Sequence, residues 1–343
     1  MRICLITGPC LHGSCGITDY VDLLGKKLDS LGHEIIHNSV DSPKGFLSLA
    51  KKLPDAEVFS IQFAPYLYSK SGLSGNSLFK LAKILSTKKT HINFHEIWVG
   101  SYPRASIKEK LIGWMQRYEI IKFLQALEPN LITTTNSAAL DRLEKIGIEA
   151  KYLYLFGNIP FLSTQNFRDS KNIKVVLFGT IYSEFPYDKL AHSLNSISSL
   201  GKKRIELRII GKQRENTGLE QLKELAKKNR YLFSETGRLP AENISFEFQN
   251  SHLGVSTSPF DVHGKSGATA AMLEHGLPIL IYDDGDTSQE CLFAFPKFSD
   301  QFFLINDSDQ MTNLHHFMQK PRKPFFDGVD HTASKMLDQI NES

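Results

Sequence analysis

The sequence predicts an α/β protein of two doubly wound domains, each a parallel sheet covered by helices on both faces. Three observations carry that expectation. Short apolar runs rich in β-branched residues alternate with helix-length amphipathic stretches along the whole chain, and alternation at this spacing builds parallel strands joined by crossover helices. The alternation pauses once, over 157–171, where Pro160, Ser163, Thr164, Gln165, Asn166 and Asp169 carry no apolar period. The 343 residues also amount to about two domains of ordinary size.

The elements follow in order. Ile3–Thr7 reads as a buried first strand, followed by a glycine-rich loop and a helix from Ile17 to Leu31. That helix sets Tyr20, Val21, Leu24, Leu28 and Leu31 on one face and stops at Gly32. Strands are then expected at Glu34–Asn38, Val58–Phe63, His91–His95, Asn130–Thr134 and Tyr152–Leu155. After the pause they resume at Lys174–Gly179, Leu207–Ile210, Leu253–Thr257, Leu277–Tyr282 and Phe302–Ile305, and a polar helix closes the chain near His331–Asn341. The predicted division is an N-terminal domain over 1–160, a C-terminal domain over 172–325, and a segment 326–343 whose helix is free to pack back on the first domain. Ligands of such sheets bind outside the carboxyl ends of the strands, so a cleft between the two domains is the expected site.

Composition excludes several classes. A formal net charge of +3 is too weak for a nucleic-acid binder. Cys4, Cys10, Cys15 and Cys291 are too few for a disulfide scaffold and read as reduced thiols of a cytoplasmic protein. No run of about 18 apolar residues is present, so no membrane span is expected.

Three segments carry candidate chemistry. The loop Gly8–Gly16 brings backbone N–H groups to a helix start, where they can meet an anionic or hydroxyl-rich ligand. Gly8 and Gly13 have phosphate-loop spacing, but Ser14 stands where that loop requires lysine, which rejects a nucleoside triphosphatase. The plainer reading is a tight strand–helix turn. His95 ends a strand, a place from which imidazole can meet a sugar hydroxyl or a developing charge; an ordinary loop-start histidine is the alternative. Gly264-Lys265-Ser266-Gly267 opens a small-residue helix that stops at Gly276. Lys265, the Ser266 hydroxyl and the free N–H groups of the helix start together make an anion site; the alternative is a helix cap beside a solvated lysine. Asp283-Asp284-Gly285-Asp286 reads as an acidic turn rather than a metal site, and Lys202-Lys203-Arg204 as a solvated loop. The helical stretch Ile107–Leu127, with Trp114 and Lys108, Lys110, Arg117 and Lys122, reads as a half-buried core helix in preference to a membrane-surface face.

Taken together these segments resemble the glycosyltransferases with two Rossmann-like domains, the GT-B type, and among them the large family 4. His12-Gly13-Ser14-Cys15-Gly16, then Leu31-Gly32-His33-Glu34-Ile35, look like that family's glycine loop and second-strand start. Phe178-Gly179, Ile209-Ile210-Gly211 and Gly276-Leu277-Pro278 match its C-domain landmarks, and Thr236-Gly237-Arg238-Leu239 resembles the loop that meets the nucleotide base. The resemblance implies a donor site on the C-terminal domain, formed by Gly211, Arg238, Leu239, Gly264, Lys265, Ser266 and Gly267. It implies an acceptor site on the N-terminal domain at His12, Gly13, Ser14 and Gly16. It matches His95 to a histidine near the donor sugar. Two departures stand out. The family's paired signature glutamates fall on His263 and Ala271, which makes His263 the second catalytic candidate, and its basic diphosphate-gripping pair is absent from Thr180–Glu184. Lys265 is the candidate for the missing charge.

The expected activity is metal-independent transfer of a sugar from a nucleotide-sugar, which is a substrate and not a cofactor, to a glycan, lipid-linked or small-molecule acceptor. No cofactor and no nucleic-acid partner are expected. The expected location is cytoplasmic, with peripheral contact at the inner membrane face left open. The loss of both glutamates motivates the alternative of a catalytically degenerate protein of the same fold that binds carbohydrate or serves in assembly. A two-lobed epimerase of nucleotide-sugars is the third reading.

Overall fold

Burial dictates which face each strand turns inward, and among the described residues it does so for twelve strands in two sheets. The structure, a computed structural model, describes residues 1–8, 16–40, 43–101, 105–162, 171–213, 217–283, 296–305 and 307–343. The chain divides into two compact units, Met1–Leu155 with Val329–Ser343, and Phe156–Gly328.

The first unit runs β1 (Arg2–Thr7), α1 (Gly16–Ser30), β2 (Glu34–Ser39), α2 (Pro43–Lys51), β3 (Val58–Phe63), α3 (Pro65–Tyr68), α4 (Asn76–Leu85) and β4 (Lys89–Phe94). It continues with α5 (Ile107–Leu127), β5 (Leu131–Thr134), α6 (Ser137–Glu144) and β6 (Lys151–Tyr152). Its six strands are parallel in the order β2-β1-β3-β4-β5-β6. Strand side chains alternate between faces. Cys4, Ile6, Phe59, Ile61, Phe63, Ile92 and Phe94 therefore share one face and pack with Phe46, Leu78, Leu81 and Phe123 of α2, α4 and α5. The intervening residues Ser60, Gln62, His91, Asn93 and Thr133 are polar and fully buried.

The second unit runs β7 (Asn172–Phe178), α7 (Tyr187–Gly201), β8 (Arg204–Ile210), α8 (Thr217–Lys228), β9 (Leu232–Glu235) and α9 (Ala241–Gln249). Then come β10 (Leu253–Pro259), α10 (Gly267–Glu274), β11 (Ile279–Tyr282), β12 (Phe302–Leu304) and α11 (Ser308–Gln319). These strands are also parallel, in the order β12-β11-β10-β7-β8-β9. Their core gathers Val175, Leu177, Leu207, Ile209, Leu253 and Val255 under α7, α8 and α11. The final helix α12 (Gly328–Glu342) lies with the first unit. Thr332 Oγ1 donates to the Tyr154 carbonyl at 3.0 Å, Gln339 Nε2 to that of Tyr152 at 3.3 Å, and Asp330 pairs with Lys27 at 2.7 Å.

The two-sheet architecture is the one the alternation predicts. The division between units falls at Leu155/Phe156, ahead of the expected end at 160. The reason is local bonding. Gly157 N–H donates to the buried Glu274 carboxylate at 2.9 Å, and the Leu162 carbonyl accepts from Gln249 at 2.7 Å. The first part of the expected linker is therefore tied to the second unit, while residues 163–170 lie outside the described residues.

Candidate functional site

In the second sheet β7, the first strand of its unit, lies between β8 and β10, so the chain proceeds outward in both directions from it. A crevice forms outside the carboxyl ends at such a switch point. Three segments end there. After β7, Gly179 has φ +94°, and a Cβ on it would sit 2.8 Å from the Ala268 Cβ, which brings the strand end against the start of α10. The Gly179 carbonyl accepts from Gln213 Nε2 at 3.0 Å. After β8, the Gly211 N–H donates to the Gly237 carbonyl at 3.0 Å, so the loop holding exposed Arg238 and half-buried Leu239 is bridged to that strand end. After β10, a 3-10 turn over Phe260–Lys265 leads into α10.

That turn buries Gly264 and leaves Lys265 exposed. Ser266 is the N-cap of α10: its hydroxyl accepts from Thr269 N–H at 3.2 Å and lies 2.9 Å from Thr269 Oγ1. The serine expected to face an anion thus carries a structural duty as well. His263 sits in the same turn between the rings of Phe260 and Phe302, with its Nδ1–H donating to the Phe260 carbonyl at 2.5 Å. Burial holds its pKa below the ordinary value, against the opposing pull of that hydrogen bond. Ala271 is completely buried, and a Cβ on Gly157 would collide with its backbone, so the Gly157 backbone packs directly on Ala271. Glu274, also buried, spends its carboxylate on Gly157.

In the first sheet the corresponding switch lies between β1 and β3. Gly16 opens α1 and is exposed; His12, Gly13 and Ser14 lie outside the described residues. His95 follows β4, is buried, and stands edge-on to the Tyr20 ring at 4.9 Å. It terminates a polar ring that the sequence analysis did not identify. Gln62 Nε2 donates to Ser60 Oγ at 2.9 Å, and Ser60 Oγ lies 3.0 Å from His91 Nδ1. His91 Nε2 lies 2.8 Å from Thr133 Oγ1, which donates to Asn93 Oδ1 at 2.9 Å. Asn93 Nδ2 closes the ring on Gln62 Oε1 at 3.1 Å, and His95 Nε2 reaches the same oxygen at 2.9 Å.

Donor and acceptor counting orients this ring. Thr133 spends its one hydroxyl hydrogen on Asn93 Oδ1, so it must accept from His91 Nε2, and His91 Nδ1 is left to accept from the Ser60 hydroxyl, which itself accepts from Gln62. His91 then carries its proton on Nε2 and gives it to Thr133, which gives to Asn93, which gives back to Gln62. The Gln62 carbonyl is left to accept from His95, so His95 carries its proton on Nε2 and holds a lone pair on Nδ1. Among the described residues Nδ1 has no hydrogen-bond partner. Burial pushes the pKa of both histidines down to about 3, His91 further disfavoured by His95 beside it, so both rings are neutral at neutral pH.

Elsewhere, Asp283 is exposed and Asp284 and Asp286 lie outside the described residues. Among the described residues no group of three or more His, Cys, Asp or Glu side chains is placed to hold a metal ion, and no helix is long and apolar enough to cross a membrane. Cys4 is buried, which pushes its thiol up to about 12.

The chain has the GT-B fold. UDP-GlcNAc 2-epimerase from Methanocaldococcus jannaschii superposes with a TM-score of 0.55 at 11% identity, covering 100% of both chains. An α-glucosyltransferase solved with UDP gives 0.52 at 11% identity, over 99% of this chain and 100% of that one. HepE of Anabaena, also solved with UDP, gives 0.55 at 10% identity over 100% of both. Likeness at such identity is a likeness of fold. No family model and no curated protein matches the sequence.

Proposed function

We propose that this chain is a glycosyltransferase that moves a sugar from a nucleotide-sugar, in the first instance a uridine diphosphate sugar, to an acceptor hydroxyl. The observation that carries the reading is the start of α10 at the switch point of the second sheet. Lys265 is exposed beside Gly267 and Ala268, whose N–H groups belong to the first turn and have no partner within the helix. Thr269 is capped by Ser266, so the diphosphate falls to Lys265 and those two N–H groups, with the positive end of the helix dipole behind them. The loop Gly237–Leu239 takes the nucleoside.

In the transfer, the bond between the sugar C1 and the diphosphate oxygen breaks with its electron pair leaving on the diphosphate. The acceptor oxygen bonds C1 and its proton departs to a base. Groups already aimed at the leaving oxygens stabilise the charge as it develops, so this reading needs no divalent metal. His95, neutral with a lone pair on Nδ1, accepts from a hydroxyl. His263 is held in the turn that carries Lys265. The glycine loop at His12–Gly16 is the acceptor side of the proposal.

A nucleotide-sugar epimerase is the second reading, favoured by the full-length likeness to two structures described as 2-epimerases. Product analysis separates the readings. An epimerase converts the nucleotide-sugar to its C2 epimer without an acceptor, a transferase releases free diphosphate slowly without acceptor, and a degenerate binding protein does neither. The site is tested by Lys265→Ala. A charge-assisted hydrogen bond contributes roughly 1.5–3 kcal/mol, so UDP affinity is expected to fall about tenfold or more, with uridine affinity nearly unchanged. Unchanged UDP affinity by calorimetric titration would remove the diphosphate from α10.

A further inference from the structure

Helix α5 is apolar on two opposite sides. Gly113, Gln116, Ile120, Phe123, Leu124 and Leu127 are buried and form its core side. Ile107, Leu111, Trp114 and Tyr118 are 88%, 59%, 65% and 57% exposed. Their spacing of four, three and four residues keeps them on one face of a helix. The Trp114 and Tyr118 rings stack on that face with centroids 6.3 Å apart. The helix is no transmembrane span.

The charges of α5 are arranged around this line. At about 100° per residue, Lys108 and Lys122 fall on one flank of it and Lys110 and Arg117 on the other. The acidic residues are engaged elsewhere: Glu109 closes the capping box with Ser106, and Glu119 accepts from the N–H groups of Ser74 and Gly75. The exposed face is therefore aromatic and aliphatic along its centre, with basic side chains on both edges.

We propose that this face of α5 docks on an anionic lipid bilayer, with the helix lying in the plane of the membrane surface. Indole and phenol rings favour the boundary between headgroups and acyl chains, aliphatic side chains reach below it, and lysine and arginine on the edges meet lipid phosphates. Two other occupants fit less well. A second copy of this chain, paired through the same face about a two-fold axis, sets these four basic residues against one another. A protein partner would have to meet edges that carry Lys108, Lys110 and Lys122, a residue type depleted from protein interfaces. The bilayer alone supplies apolar depth and negative charge at the matching positions.

The test is vesicle sedimentation of the full chain, with vesicles of phosphatidylglycerol and phosphatidylcholine compared with phosphatidylcholine alone. Binding is expected on the anionic vesicles, weakening as salt is raised. It is expected to fall tenfold or more in Leu111→Ser with Trp114→Ser, and likewise in Lys108→Glu with Lys110→Glu. All four side chains are exposed, so melting curves should hardly move. Tryptophan emission should shift to the blue on binding in Trp98→Phe, and should not shift in Trp114→Phe. Failure to bind anionic vesicles overturns the proposal, as does binding that survives both double substitutions. A concentration-dependent dimer abolished by Trp114→Ser overturns it in favour of a second copy. None of these readouts involves a sugar or a nucleotide, so the result is independent of the proposed reaction.

Discussion

At the scale of single residues, the Gln62 carboxamide decides what His95 can do. Its carbonyl oxygen takes the His95 Nε2 proton, which leaves Nδ1 as an acceptor, and the low pKa keeps the ring neutral. A neutral acceptor orients a hydroxyl; it does not neutralise a phosphate. Gln62→Leu removes the oxygen and is expected to release the tautomer, with a growing share of Nδ1–H ring in nitrogen-15 spectra of the histidines. Turnover should fall more than donor affinity, because a contact that strengthens in the transition state governs rate. A wild-type His95 found protonated on Nδ1, or charged, at pH 7 would sink this account. The place of His95 at a strand end was legible in the chain. Its ring of partners was not, since Ser60, Gln62, His91, Asn93 and Thr133 come from three strands. Each looks like one polar interruption in a buried run until parallel register sets Gln62 beside Asn93 and Asn93 beside Thr133.

At the scale of elements, strands with long apolar runs and helices with one apolar face were readable, because a single period accounts for them. β9 was missed because Leu232–Glu235 is four residues at a sheet edge with no side chain fully buried. α5 was read as half-buried, which is true of one side; its second apolar line confuses any single-stripe reading. The start of α10 was legible as a helix opening, but not the division of labour within it. Ser266 serves as the cap while Lys265 beside it is exposed, and a pair of substitutions separates capping from anion binding. Ser266→Ala loses the cap and is expected to lower stability by about 1 kcal/mol. Ser266→Asp is an equally good cap but places a negative charge where the diphosphate would sit. It should melt like the wild type and bind UDP at least tenfold more weakly. If Ser266→Asp binds UDP normally, the anion site is not at this helix.

At the scale of the whole molecule, each unit carries buried neutral histidines, so acid should weaken both. His91 and His95 lie in the first unit. His275 lies in the second, its Nδ1–H donating to the Ala271 carbonyl at 2.7 Å and its Nε2 2.9 Å from Ser245 Oγ, among the rings of Phe161, Phe248 and Phe325. Burial lowers the His275 pKa to about 4, and those of His91 and His95 to about 3. A folded-state value below the unfolded one, ordinarily near 6.5, means that the unfolded chain takes up protons first. The stability these histidines contribute is therefore complete above about pH 6.5 and is lost as pH falls toward 4 for His275 and toward 3 for the other two. Each group costs about 1.4 kcal/mol per pH unit inside its window, or on the order of 2 kcal/mol by pH 5. Most carboxylates are still ionised at pH 5, so a decline between pH 7 and 5 belongs mainly to histidine. Urea denaturation at stepped pH should show midpoints falling through that interval. His275→Gln should start less stable at pH 7, because it disturbs a packed ring cluster, yet lose one histidine's share of the slope. Midpoints that stay level from pH 7 to 5 would mean that the three rings are charged in the folded state or reach solvent, and the tautomer assigned to His95 would fall with them.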